Sequence, residues 1–142
     1  MKHKVASGIF LLTAISVGLG AFGHAHQWAK HVLPALGNVD LSLVRLLALV
    51  WYWVSGAMLV FGCLLVWSWW RIRQGERALL ILPWIVGAFY LVEGIYGALG
   101  LGAFFLLFVL QAVLLWGSTW VLGRPTATTV SPAGTQHGSP LV

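Results

Sequence analysis

The sequence predicts an all-α integral membrane protein, a four-transmembrane-helix bundle with its N- and C-termini in the cytoplasm. Of its 142 residues, 60% are hydrophobic and only 8% are charged, whereas a soluble domain carries roughly a quarter charged residues. The apolar residues form long continuous runs, and in lipid such a run satisfies its backbone hydrogen bonds as a helix. This composition excludes a soluble enzyme, a disulfide scaffold and a nucleic-acid-binding domain.

Each apolar run approaches or exceeds the roughly 20 residues that a helix needs to cross the bilayer core. The predicted spans cover about residues 5–22, 43–70, 79–101 and 103–122. The second span is long enough to tilt, or to extend its ends into both headgroup layers. Residues 23–42 form the predicted outer loop. Residues 125–142 are rich in Pro, Thr, Ser and Gly, a composition that predicts a disordered cytoplasmic tail.

The first span has an alternative interpretation. Lys2 and Lys4, the short apolar run after them and the small residues near Ala25 together resemble a secretory signal peptide. Cleavage after Ala25 would leave three spans and expose His26 as a new N-terminus, where its amine and ring could chelate copper. The first span is just long enough to cross the bilayer, however, which favours its retention.

The outer loop contains local signals of its own. Trp28, Val32 and Leu36 recur every four residues, which predicts a short amphipathic helix lying in the membrane interface. Gly37–Asn38 is the expected end of that helix. Asp40 directly precedes the second span, and we expect its carboxylate to cap that helix by accepting otherwise unpaired amide protons.

The second and third spans contain residues suited to helix packing. Trp51–Trp53 is an aromatic run that lies deep in the second span, so we expect at least one of its rings to face a neighbouring helix. Gly87, Gly94 and Gly97 recur along the third span. Small residues let helix backbones approach closely in a membrane, so these glycines predict tight packing.

The basic residues give the predicted orientation. They lie before the first span, between the second and third spans, and after the fourth span: Lys2, Lys4, Arg71, Arg73, Arg77 and Arg124. An even number of spans places all of these on one side, which the positive-inside tendency makes the cytoplasmic side. We therefore expect a multi-pass protein of a bacterial-type cytoplasmic (inner) membrane.

Glu93 is the only acid inside an apolar run, and an intramembrane acid is by default a functional-site hypothesis. From the helical rise, Glu93 lies roughly 9 Å and Gln111 roughly 12 Å below the outer boundary. Arg45 enters at the outer end of the second span, and its long side chain can bend inward or snorkel outward. We predict an outward-facing polar pocket that contains these three residues, rimmed by Tyr90 and Tyr96.

His24 is a further candidate for the rim of that pocket. Such a pocket could bind a proton, a cation, a lipid headgroup or a quinone-like molecule. The alternative is structural: Glu93, either protonated or paired with Arg45, would fix the register of the helices. Intramembrane hydrogen bonds contribute only about 0.6 kcal/mol on average, so a buried polar group does not require a ligand.

Three histidines form a second candidate site at the outer surface. His24, His26 and His31 give the pattern H-x-H-x4-H, and imidazole suits copper, zinc or haem iron. On a continuous helix His24 and His31 share a face, but His26 points roughly 200° away from His24. All three converge only in a loop, and the alternative is that they are solvated interfacial residues.

No nucleophile elbow, phosphate loop or zincin motif is present, so the sequence disfavours an enzyme. The first expectation is a non-enzymatic accessory or structural subunit that packs in the lipid bilayer against a membrane-protein partner or a second copy of itself. The second is a small-molecule, ion or lipid-binding or transport component centred on Glu93 and Arg45. The third is a metal-handling protein that uses the three histidines. No nucleic-acid partner is expected, and the sequence identifies no cofactor.

Overall fold

A computed structural model describes residues 1–124, and this part of the chain is all-helical. Its main helices are α1 (Lys2–Gln27), α2 (Leu41–Arg73), α3 (Ile81–Gly100) and α4 (Leu106–Gly123). With the short helical turns that extend them, these give four helices long and apolar enough to cross a membrane. The predicted helical class and number of spans are thus confirmed for the described residues. The tail predicted as disordered, residues 125–142, lies outside them.

The first helix extends further than the sequence predicts. α1 passes into a π-helical turn, Trp28–Val32, and then into a short α-helical segment, Leu33–Ala35, so most of the expected outer loop is helical. Pro34 has no N–H to donate to the carbonyl four residues before it, and the wider π turn lies directly ahead of it. Gly37 then ends the helix with a φ of 55°, a conformation that glycine adopts without steric cost.

Asp40 caps the next helix, as the sequence predicts. Its Oδ1 accepts a hydrogen bond of 2.8 Å from the backbone N–H of Ser42, and the Ser42 hydroxyl donates to the same oxygen. The Ser42 hydroxyl and then the Ser42 amide favour the ionised carboxylate, so they hold the pKa of Asp40 below its ordinary value. The start of α2 is therefore fixed by a charged cap.

The helices do not pack as a symmetrical square. α1 packs against α2 on one side and α4 on the other, and α3 packs chiefly against α4, whereas α2 and α3 scarcely meet. The spatial order is therefore α2, α1, α4, α3. The core follows this order, and its most completely buried large side chains come from all four helices: Phe10, Val17, Leu65, Val86 and Leu115.

Glycines set the closest helix contacts. A Cβ added at Gly62 of α2 would lie 2.6 Å from the backbone nitrogen of Gly18 in α1, and closer still to its Cα. A Cβ added at Gly94 of α3 would lie 2.7 Å from the backbone nitrogen of Val109 in α4. The packing role predicted for Gly94 is confirmed, and Gly62 is an equally tight contact that the sequence did not single out.

The two ends of the bundle differ in character. Lys4, Arg73, Arg77 and Arg124 line one cavity, so the start of α1, the connection between α2 and α3 and the end of α4 meet at one end, here called the basic end. The opposite end holds the connections between α1 and α2 and between α3 and α4. His24 lies toward this opposite end.

Candidate functional site: a cavity beside Glu93

A cavity of about 130 Å³ lies among the four helices toward the opposite end. Here called the Glu93 cavity, it is lined by His24, Val54, Met58, Phe89, Tyr90, Glu93, Phe105 and Phe108. It exists because α2 and α3 scarcely touch along this part of the bundle. Where they do meet, the rings of Phe61 and Phe89 pack edge to face at 5.6 Å. An apolar cavity of about 150 Å³ is known to hold benzene, so the volume of this cavity is close to that needed for a single ring.

His24 is held by α2 through three contacts. The Trp51 indole stacks on the imidazole ring, with centroids 4.2 Å apart and planes inclined by 14°. The same indole donates its N–H to the backbone carbonyl of His24 at 2.7 Å. Ser55, one turn further along α2, lies 2.9 Å from His24 Nδ1 through its Oγ. Together these contacts fix both the position and the plane of the ring.

The hydrogen bonds of Ser55 also indicate which nitrogen of His24 carries the proton. Ser55 Oγ lies 3.1 Å from the backbone carbonyl of Trp51 and donates its single proton there. We therefore assign Oγ as the acceptor from His24 and Nδ1 as the protonated nitrogen. With this assignment, Nε2 of the neutral ring is a hydrogen-bond acceptor.

Tyr90 and Glu93 are the other polar residues that line the cavity. Tyr90 is 2% exposed, and its hydroxyl is buried without a hydrogen-bond partner among residues 1–124. Such a group costs about 1–3 kcal/mol. Glu93, three residues further along α3, is exposed and also lines the cavity. Across residues 1–124 the only ion pair joins Arg71 and Glu76, so Glu93 has no basic partner there.

The structure assembles only part of the predicted polar pocket. Tyr90 and Glu93 share the cavity, and His24 joins them there. Gln111 instead faces α1, where its Nε2 donates to Ser16 Oγ at 3.0 Å. Arg45 and Tyr96 are exposed and do not line the cavity. Arg45 therefore neither pairs with Glu93 nor contributes to this site, because α2 and α3 are held apart where the pairing was expected.

The three histidines are not brought together. They lie on one nearly continuous helix that runs from α1 through the π turn, with His26 and His31 exposed and His24 turned toward α2. Within residues 1–124, no group of at least three His, Cys, Asp or Glu side chains could hold a metal ion. The convergence that a metal site needs would require a loop, and this segment is helical.

Trp51 and Ser55 are the residues of this site that sequence reasoning did not assign to it. They are four residues apart and therefore lie on one face of α2. Two residues able to form hydrogen bonds, four positions apart in an otherwise apolar run, were the signal available in the sequence. The spacing alone does not say that this face of α2 meets His24 of α1.

No protein-family model matches this sequence, and neither a curated protein nor a solved structure matches it. The function must therefore be argued from the geometry of the site.

Proposed function

We propose that this chain is a small multi-pass membrane protein that binds the hydroxylated, ring-sized head of an otherwise apolar molecule in the Glu93 cavity. The observation that carries the proposal is the meeting of three polar side chains, His24, Tyr90 and Glu93, in one small cavity whose remaining walls are apolar and aromatic. Ligand sites typically combine apolar walls with a few convergent polar groups.

The chemistry of the three groups defines the ligand class. His24 Nε2 and the Glu93 carboxylate accept hydrogen bonds, and the Tyr90 hydroxyl can both donate and accept. A ring hydroxyl fits this set, because it donates its one proton to either of the two acceptors and accepts from the Tyr90 hydroxyl. An ionised carboxylate in a membrane is costly unless it has a partner, so a donating head group would stabilise Glu93. Alkylphenols and quinols have these properties.

Phenol and toluene provide the direct test, because they are similar in size and only phenol carries the hydroxyl. We expect phenol to bind the full chain in detergent micelles at least about tenfold more tightly than toluene, since a hydrogen bond to a charged group is worth about 1.5–3 kcal/mol. Glu93→Gln should weaken phenol binding about tenfold, because the charged acceptor is lost. The affinity for toluene should not change. Isothermal titration calorimetry, corrected for partitioning into protein-free micelles, measures both.

Glu76→Gln is the matched control, because it removes an acid at the basic end, far from the cavity. It should leave both affinities unchanged. Equal binding of phenol and toluene to the unmodified chain would refute the proposal.

A second candidate function is that of an accessory subunit, packed against a membrane-protein partner or a second copy of this chain. It is favoured by the exposed apolar surface of α2, on which Leu49 is 67% and Trp53 is 76% exposed. Under this proposal Glu93 is a structural group and binds no ligand. Glu93→Gln would then leave both the mass of the complex in mild detergent and phenol binding nearly unchanged, so the two proposals separate.

We further propose that the basic end faces the cytoplasm of a bacterial-type inner membrane, on the positive-inside tendency. Single cysteines at Asn38 and Gln74, in a background where the native Cys63 is serine, test this orientation. In intact spheroplasts a membrane-impermeant maleimide should label Asn38→Cys at once. It should label Gln74→Cys only after permeabilisation. The reverse pattern would invert the topology.

A further inference from the structure

The basic end contains a second, larger cavity of about 640 Å³, here called the basic cavity. Four cationic side chains line it, from the start of α1, the end of α2, the turn before α3 and the end of α4: Lys4, Arg73, Arg77 and Arg124. Among residues 1–124, none of those that line it is acidic. The nearby Glu76 is held by Arg71 through an ion pair and a hydrogen bond of 2.9 Å from Nε.

The wall of the basic cavity is built by a tryptophan. Trp69 donates its indole N–H to the Ser7 carbonyl at 3.0 Å and to the Ser7 hydroxyl at 2.9 Å, which ties the end of α2 to the start of α1. The Arg73 guanidinium lies 4.9 Å from the centre of the same indole ring. An aromatic face positions a guanidinium without neutralising it, so the positive charge of the cavity is retained.

We infer that the basic cavity binds the phosphate group of an anion, supplied by an anionic phospholipid headgroup or by free phosphate. Like charges around one cavity repel each other, and a bound anion relieves that repulsion. Arginine donates bidentate, charge-assisted hydrogen bonds to phosphate. The cavity also lies between the ends of membrane-spanning helices, where basic pockets meet lipid headgroups. This site is separate from the Glu93 cavity and does not depend on the function proposed for it.

The test measures thermal unfolding of the full chain in detergent micelles. Phosphatidylglycerol, phosphatidylcholine and inorganic phosphate are titrated separately. We expect phosphatidylglycerol to raise the unfolding temperature more than phosphatidylcholine at equal mole fraction. Each basic side chain removed should weaken the binding of phosphatidylglycerol about fivefold. In the double variant Lys4→Gln/Arg77→Gln, half-saturation should therefore require about 25-fold more phosphatidylglycerol.

The matched control is Lys2→Gln/Lys30→Gln, which removes the same charge from positions that do not line the cavity. It should respond like the unmodified chain. If the double variant Lys4→Gln/Arg77→Gln lacks native helicity by circular dichroism, the two substitutions are measured singly. Each should weaken the binding of phosphatidylglycerol about fivefold.

A response to phosphatidylglycerol alone identifies a lipid headgroup as the source, and a response to inorganic phosphate as well shows that the phosphate group suffices. Equal stabilisation by phosphatidylcholine and phosphatidylglycerol, without any effect of phosphate, would overturn the inference. So would an equal loss of response in the control pair.

Discussion

Replacing Gly62 with alanine is expected to force α1 and α2 apart and to destabilise the protein by about 1–3 kcal/mol, the usual cost of overpacking a close contact. The added Cβ would lie 2.6 Å from the backbone nitrogen of Gly18. A backbone atom cannot rotate away as a side chain can, so the helices themselves must shift. Unfolding in mixed micelles of increasing dodecyl sulfate content, followed by circular dichroism, measures the loss.

Gly56→Ala is the matched control on the same helix. A Cβ at Gly56 meets nothing within 4 Å, so this variant should be neutral or slightly more stable because alanine favours the helix. Because the same helix pair holds His24 against Ser55, Gly62→Ala should also weaken phenol binding. Equal stability of the two alanine variants would contradict the packing described for α1 and α2.

The second large effect is expected for His24→Phe, which should reduce the affinity for phenol about fivefold, because one of the two acceptors for the phenol proton is lost. The fold should survive this change. A phenyl ring retains the stacking on Trp51, and Ser55 can still donate to the Trp51 carbonyl. Calorimetric titration with phenol and toluene distinguishes two causes. Loss of the hydrogen bond lowers only the affinity for phenol, whereas a collapsed cavity lowers the affinity for both molecules.

His26→Phe makes the same substitution two residues away, on an exposed part of the helix. Its affinities for phenol and toluene should equal those of the unmodified chain. Were His24→Phe to retain the full preference for phenol over toluene, His24 would have no part in recognising the hydroxyl.

Much of the fold follows from features that are local in the chain. Continuous apolar runs predict the helical spans because lipid allows few other ways to satisfy the backbone. The Asp40 cap is predictable because it depends on a carboxylate two residues before an amide. The sequence predicts a first span over residues 5–22 and a separate short helix marked by Trp28, Val32 and Leu36. In the structure the first helix continues without a loop to Ala35.

The candidate site was harder to predict because it depends on how the helices are arranged and rotated. Depth along a helix places Glu93 and Gln111 at similar levels, but it does not say which neighbour each one faces. Since α4 packs against α1, Gln111 meets Ser16. Since α2 and α3 stand apart, Arg45 is not brought to Glu93. Tyr90 and Glu93 were predictable together because residues three apart share one helix face.

The ¹⁵N NMR spectrum of His24 tests the proposed function most directly. In the full chain with ¹⁵N-labelled histidine, the His24 resonances are identified by their absence from His24→Phe. The hydrogen bonds of Ser55 predict a proton on Nδ1 and a bare Nε2, and saturating phenol should shift the Nε2 resonance as it accepts a hydrogen bond. A proton on Nε2 in the free protein, or His24 resonances that saturating phenol leaves unmoved, would contradict the account.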